Sequence, residues 1–186
     1  MGRHSPGASG SAQQDFPETK AMDPATEAQG ICLRLLTARP CSRAELADAL
    51  RRRGIPDEVG EPVLDRLGEV GLVNDAVFAE SVVHSGHRHR GLGRWGVSTE
   101  LRRRGVPDEI VRVAVATVRA EDEERRAREL VRRKLRSSTV RDPSTLARRL
   151  AGMLARKGYS EGLALRVVRD ELGSGNWPTE VEPCPD

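Results

Sequence analysis

The sequence predicts an all-α protein built from three tandem three-helix repeats, and three observations carry that expectation. A pattern centred on a glycine recurs at Gly54, Gly105 and Gly158, spaced 51 and 53 residues apart. The composition suits thin helical layers: 32% of residues are charged, 37% hydrophobic and only 3% aromatic. Such a mixture favours large solvated faces over a sandwich or a doubly wound sheet. Strand signals, finally, are almost absent. A period of this length marks units too thin to bury their own faces, which stack on their neighbours instead.

Each element can be justified in order. Residues 27–38 carry Ile31, Leu35 and Leu36 as a first helix candidate. Ser42 and Glu45 have capping-box spacing, so a second helix begins there. Leu46, Ala49 and Leu50 form its apolar stripe, Arg51 to Arg53 fill its last turn, and Gly54 supplies the left-handed residue that ends it. Pro56 suits the first turn of a third helix, where its missing N–H costs nothing, and Asp57 and Glu58 suit that positive helix end. Val59, Val63 and Leu67 are its buried face.

The same grammar returns twice. Residues 75–90 hold Phe78, Val82 and Val83, followed by Leu101, Gly105, Pro107, Ile110, Ala114 and Val118. Leu50-Arg-Arg-Arg-Gly54-Ile-Pro-Asp-Glu58 matches Leu101-Arg-Arg-Arg-Gly105-Val-Pro-Asp-Glu109 nearly residue for residue. Residues 121–135 open on four acids and close on Arg132, Arg133 and Lys134, the order the helix dipole prefers. Leu150, Gly158, Leu163, Val167 and Val168 complete a looser third copy. The expected units are 27–74, 75–120 and 121–173, between a disordered leader (1–26) and a disordered acidic tail (174–186).

The bulk numbers exclude several classes. The net charge is +3, but 1–30 hold only Arg3 and Lys20 as bases and 173–186 hold none. The basic excess therefore lies in the repeats, which suggests an anionic partner. Cys32, Cys41 and Cys184 are odd in number and lack metal-ligand spacing, as expected of reduced thiols in a cytoplasmic protein. No apolar run is long enough to span a membrane, and the leader lacks the apolar stretch of a secretory signal. There is no phosphate-cradling glycine loop with its lysine, no nucleophile motif and no carboxylate pattern for a metal. A non-catalytic protein without cofactor or metal is expected.

The residues also resemble a known family. Leu35 to Leu46, with Leu-Leu-x-x-Arg-x-x-Ser-x-x-Glu-Leu, is similar to the RecX family, as is Leu67-x-x-x-Gly71-Leu-Val-Asn-Asp75-x-x-Phe78-Ala-Glu80. So is Gly91-x-Gly93 leading into Glu100-Leu101-x-x-x-Gly105-Val106. The resemblance covers about 30–172, and its central block is the most specific part. It implies an elongated, curved, monomeric array of three-helix repeats. It also implies binding in the groove of RecA filaments on single-stranded DNA, which lowers ATP hydrolysis, strand exchange and co-protease activity and so modulates DNA repair and the SOS response. Two departures stand out. Ser81-Val-Val-His84-Ser-Gly86 replaces a stretch where many relatives carry a Tyr and an early Arg, and Gly86 costs about 1 kcal/mol inside a helix, so that helix is expected to end early. Trp95-Gly96 interrupts a stretch that relatives often fill with Lys or Arg.

The candidate contact residues for RecA, or for a single- or double-stranded DNA backbone, are Arg52, Arg53, Arg88, Arg90, Arg94, Arg103, Arg104, Arg156 and Lys157. Three consecutive helical arginines fan around the helix, so recurrence is what commends them: one stripe through Arg52 or Arg53, Arg103 or Arg104, and Arg156 or Lys157. Arg88, His89, Arg90 and Arg94 form the densest basic cluster, set among flexible glycines, whereas Arg126 to Arg136 face many acids and read as a solvated helix. On an α-helix His84 and His87 share a face while His89 points elsewhere, and no further ligand completes a zinc site. Trp95, beside the basic cluster, has the chemistry to stack on a base or an arginine but reads first as a core or inter-repeat anchor, and Phe78 and Tyr159 read as core. The alternative function is a helical DNA-binding protein with helix–turn–helix-like units, for which 42–67 followed by Gly71-Leu-Val resembles part of a winged helix. A β wing would then be expected.

Overall fold

The computed structural model describes residues 23–173. Of the expected leader and acidic tail, residues 1–22 and 174–186 lie outside the described residues. Within them are nine α-helices and no strand: α1 (Pro24–Ala38), α2 (Arg43–Arg51), α3 (Asp57–Glu69), α4 (Asp75–His84), α5 (Arg94–Arg103), α6 (Asp108–Ala116), α7 (Ala120–Arg136), α8 (Pro143–Arg156) and α9 (Glu161–Leu172). The β wing of the winged-helix alternative is therefore missing among the described residues.

Three separate cores correspond to three units. Ile31, Leu46, Leu50, Leu64 and Leu67 pack in the first, Phe78, Val82, Val97, Leu101 and Val111 in the second, and Ala127, Val131, Leu150, Leu154, Tyr159 and Val167 in the third. Helix contacts run within each unit and, through a turn following α4, from the second unit to the third. The arrangement is a linear stack in which a unit touches only its neighbours.

Local chemistry explains the ends of the elements. Ser42 and Glu45 form the full capping box, the serine side chain accepting from Glu45 N and the glutamate from Ser42 N. Gly54, Gly105 and Gly158 all take the left-handed conformation, with φ of 77°, 74° and 79°. After each, an apolar residue turns back: Ile55, Val106 and Tyr159 donate their N–H to the carbonyls of Leu50, Leu101 and Leu154, and all three are buried. This is a Schellman closure with its hydrophobic contact, made three times. Pro56 and Pro107 sit one residue earlier than expected, as the N-caps of α3 and α6. Their ring-fixed φ, combined with an extended ψ of 152° and 140°, aims the chain into the next helix.

The stretch 75–90 is not one α-helix. α4 stops at His84, and the chain continues as a π-helical turn over Ser85–His89, so the expected early end holds for α-helical bonding alone. Gly86 is buried there, where a Cβ would press on Val97 and Leu92 at 3.3 and 3.5 Å. The wider turn, with i to i+5 bonding, also corrects the expected histidine geometry. His84 and His89 become neighbours, with ring centroids 6.0 Å apart and edge-on, while Nδ1 of His87 lies 2.9 Å from Leu92 O.

Two close approaches tie the units together. A Cβ on Gly105 would fall 2.3 Å from Ala44 Cβ in the first unit, and one on Gly158 would fall 2.0 Å from Gly96 N in the second. Gly54, at the open end of the stack, has nothing within 4 Å. Gly54→Ala should therefore lose only the left-handed backbone cost of about 1–2 kcal/mol. Gly158→Ala should lose about 1–3 kcal/mol more from overpacking. Urea denaturation of the two variants checks this, and equal losses would contradict the close approach.

Candidate partner-binding surface

The three residues before each pivotal glycine, all arginine before Gly54 and Gly105 and Ala155-Arg156-Lys157 before Gly158, have different fates. Three residues before the pivot, Arg51 and Arg102 reach forward to the first turn of the following helix, with Nε 2.8 Å from Asp57 Oδ1 and 2.7 Å from Asp108 Oδ1. One residue before the pivot, Arg104 and Lys157 join junctions between units, whereas Arg53, at the open end of the stack, does not. Two residues before it, Arg52, Arg103 and Arg156 are exposed, and their side chains make no hydrogen bond or ion pair to any other described residue. The ambiguous stripe thus resolves into the position two residues before each pivot, joined by Arg53 in the first unit.

The first junction is built around Arg104. Its guanidinium forks onto Glu45, Nε to Oε1 at 3.0 Å and Nη2 to Oε2 at 2.9 Å, and lies 4.3 Å above the Phe78 ring centroid. Planar, bidentate pairing and stacking on an aromatic face are what arginine does and lysine does not. Ser42 Oγ donates to Arg104 O at 2.5 Å, and Arg43 N donates to Asp75 Oδ1 at 2.8 Å. Burial works to raise the Glu45 carboxyl, but hydrogen bonds from Arg104, the Ser42 backbone and Arg39 outweigh it and hold the group below the ordinary carboxylate range.

The second junction uses the same positions with other residues. Gly93, equivalent to Ser42, donates its N–H to Lys157 O at 2.8 Å. Arg94, equivalent to Arg43, donates its backbone N–H to Glu123 Oε1 at 2.7 Å. The carboxylate caps a helix whose own N-cap, Gly93, has no side chain to do so. Arg94 Nε also donates to Val118 O at 2.7 Å. Lys157 Nζ donates to Arg90 O at 2.6 Å, Arg126 Nη2 to Arg88 O at 2.5 Å, and the Tyr159 hydroxyl to Gly91 O at 3.2 Å. Burial lowers the Lys157 ammonium, helped by the nearby charges of Arg133, Arg126 and Arg90.

The nine candidate residues therefore separate. Arg52, Arg53, Arg88, Arg103 and Arg156 present unpaired guanidiniums among the described residues. Arg90 pairs with Glu100 at 2.6 Å, and Arg94, Arg104 and Lys157 hold junctions. The glycines around the basic cluster are tight joints rather than flexible spacers: a Cβ on Gly93 would meet Gly158 O at 2.4 Å, and one on Gly96 would meet Lys157 O at 2.4 Å. Phe78 and Tyr159 are core, as expected. Trp95 is not an anchor; it is 66% exposed, because the close approach uses its glycine neighbours and turns the indole outward. Asp75 and Glu123 escaped the sequence reading, since each looks like an ordinary first-turn acid of its own helix. The α7 arginines behave as expected of a solvated helix but also bridge to α9, with Arg128 and Arg132 on Glu171.

Comparison with known proteins adds to this geometry. Family models described as the first, second and third three-helix domains of RecX match residues 28–67, 74–115 and 121–168. The chain is 54% identical over 158 residues to the regulatory protein RecX of Streptomyces lividans, spanning 85% of this chain and 84% of that one. It is 58% identical over 145 residues to that of Thermobifida fusca, spanning 78% of each. A crystal structure of regulatory protein RecX shares the fold, with a TM-score of 0.73 at 21% identity over 80% of this chain and 74% of that one. Another, from Lactobacillus salivarius, has a TM-score of 0.69 at 19% identity, over 80% and 97%.

Arg104→Ala should cost about 1–3 kcal/mol, because it removes the bidentate partner of the half-buried Glu45 and leaves it only Arg39 and the Ser42 N–H, whereas Arg103→Ala should fall within about 0.5 kcal/mol of the parent. Thermal melts of both variants test the contrast. Because the folded Glu45 carboxyl is depressed, its stabilisation is present above the unfolded value and is lost as pH falls through the folded one. The stability gap between the parent and Glu45→Gln should thus be widest above pH of about 5 and close toward pH of about 3. A gap that widens on acidification would contradict the assignment.

Proposed function

The chain belongs to the RecX family, and on that premise we propose that it regulates RecA by lying in the groove of the RecA filament. In this reading it inhibits the ATPase, recombinase and co-protease activities and so modulates DNA repair and the SOS response. It acts as a non-catalytic cytoplasmic monomer, needing no cofactor.

The observation that carries the proposal is the row Arg52, Arg103 and Arg156. A filament groove is itself periodic, and a stack of like units presents like side chains at regular intervals to it. Each of these arginines keeps its full set of donors, since the neighbouring positions already satisfy the acids at hand. Arg53 extends the row at the open end of the first unit, where its counterparts Arg104 and Lys157 are enclosed. No helix among the described residues is long and apolar enough to cross a membrane, which agrees with a partner met in solution.

The test is ATP hydrolysis by the cognate RecA on single-stranded DNA, titrated with the parent chain and with a triple Arg52→Ala, Arg103→Ala, Arg156→Ala variant. The parent should inhibit at amounts well below those that coat the DNA. The triple variant should fold normally and need at least about tenfold more protein, as removal of about 1.4 kcal/mol of contact requires. Unchanged hydrolysis with a folded parent would refute the reading. Undiminished inhibition by the variant would move the contact elsewhere on the surface.

A further inference from the structure

The Lys157 ammonium is placed unlike that of an ordinary surface lysine. Its Nζ donates to Arg90 O at 2.6 Å, its one hydrogen bond among the described residues. No carboxylate among those residues pairs with it. The acids that serve its neighbours, Glu100 on Arg90 and Glu129 on Arg126, lie 2.6 and 2.7 Å from those guanidiniums. Arg126 Nη2 reaches Arg88 O at 2.5 Å, two residues along the same segment. Arg133 is seven residues beyond Arg126 on α7, two turns along the same face. A half-buried cation therefore sits among guanidiniums without a counter-ion of its own. Burial, and then the charges of Arg133, Arg126 and Arg90, lower its ammonium from the ordinary value. A larger share of it is free amine near neutral pH than of a solvated lysine.

The other buried nucleophiles are shifted the opposite way. Cys32 and Cys41 are 0% and 4% exposed, and burial pushes both thiols up. Burial does the same to the Tyr159 hydroxyl. Of these four groups only Lys157 is moved toward its reactive form, and it is half-buried rather than sealed. Desolvation and neighbouring cations are the two ways in which a lysine becomes a nucleophile.

The same cations select the reagent. An acyl phosphate is a small dianion with an activated carbonyl, and guanidiniums attract it as they do any phosphate. The free amine holds Arg90 O through one N–H and keeps its lone pair for the acyl carbon. Attack forms the C–N bond, and the C–O bond to phosphate breaks. Phosphate departs with the electron pair, and the nitrogen gives up a proton to water. The product amide is neutral and retains an N–H for Arg90 O, so the repulsion among the clustered cations falls.

We infer that Lys157 is a site of Nζ acylation by small acyl phosphates, which removes one positive charge from the joint between the second and third units. The reaction requires neither RecA nor nucleic acid, so it stands or fails apart from the proposed function.

The test treats the full chain with acetyl phosphate at mildly alkaline pH and follows Lys20, Lys134 and Lys157, its three lysines, by peptide mass spectrometry. Early in the reaction Lys157 should be acetylated several-fold faster than Lys20 or than Lys134, which is exposed at the end of α7. Arg90→Gln keeps the carbonyl that holds Nζ and removes one cation; it should slow Lys157 and leave the other two lysines unchanged. Added salt should narrow the preference by screening the dianion, and a neutral donor, the succinimidyl ester of acetate, should show less of it. Circular dichroism checks the fold of the variant, and the comparison of lysines in the parent stands without it. Equal rates at the three lysines, or Lys157 the slowest, would overturn the inference. A preference undiminished by both Arg90→Gln and salt would do the same.

Discussion

The architecture depends on one close approach: the backbone around a left-handed glycine pressed against the first turn of a helix in the preceding unit. Space for a side chain does not exist at Gly105 or Gly158, and the backbone conformation at both is one that residues with a Cβ adopt at a cost. A single glycine thus ends a helix within its unit and fits that unit to its neighbour. Because a three-helix unit this thin cannot bury enough surface alone, the joint is part of how each unit is stable at all.

Polar chemistry around the joint follows from this geometry. Bringing a helix N-terminus against another chain segment excludes water from its first N–H groups, which then need acceptors. Asp75 and Glu123 provide them from the next unit, so each helix is capped in part by a residue that belongs to its neighbour. The carbonyl before the pivot accepts from Ser42 or Gly93. Both junctions meet the same demand, one chiefly with side chains and the other chiefly with glycine backbone. The second junction adds donors from Arg126, Lys157 and Tyr159 to the carbonyls of Arg88, Arg90 and Gly91, in and just after the π-helical turn, which restrains that segment.

Function-bearing charge is what remains after these demands are met. Successive residues of an arginine triplet fan around the helix, so that in the second unit Arg102 reaches the next helix, Arg104 the preceding unit and Arg103 solvent. The surface row is a by-product of helical geometry acting on a repeated sequence. Its regularity is well suited to a regular partner. Trp95 is exposed for the same reason, since the glycines on both sides of it take the packing role that an aromatic would otherwise have had.

The sequence alone determined the fold class, the repeat period, the capping box, the three helix-ending glycines and the resemblance to RecX, because these rest on local chemistry and on spacing along the chain. It also marked the basic positions as a group. Only the tertiary structure decided which arginine of each triplet is free, since Arg103 and Arg104 are indistinguishable until the neighbouring unit places Glu45 and Phe78 beside one of them. The same is true of Gly93 and Gly96, which read as flexible in sequence and are tight joints in the stack, and of the π-helical turn that draws His84 to His89. An environment supplied by residues some sixty positions away leaves no periodic trace in the segment that receives it.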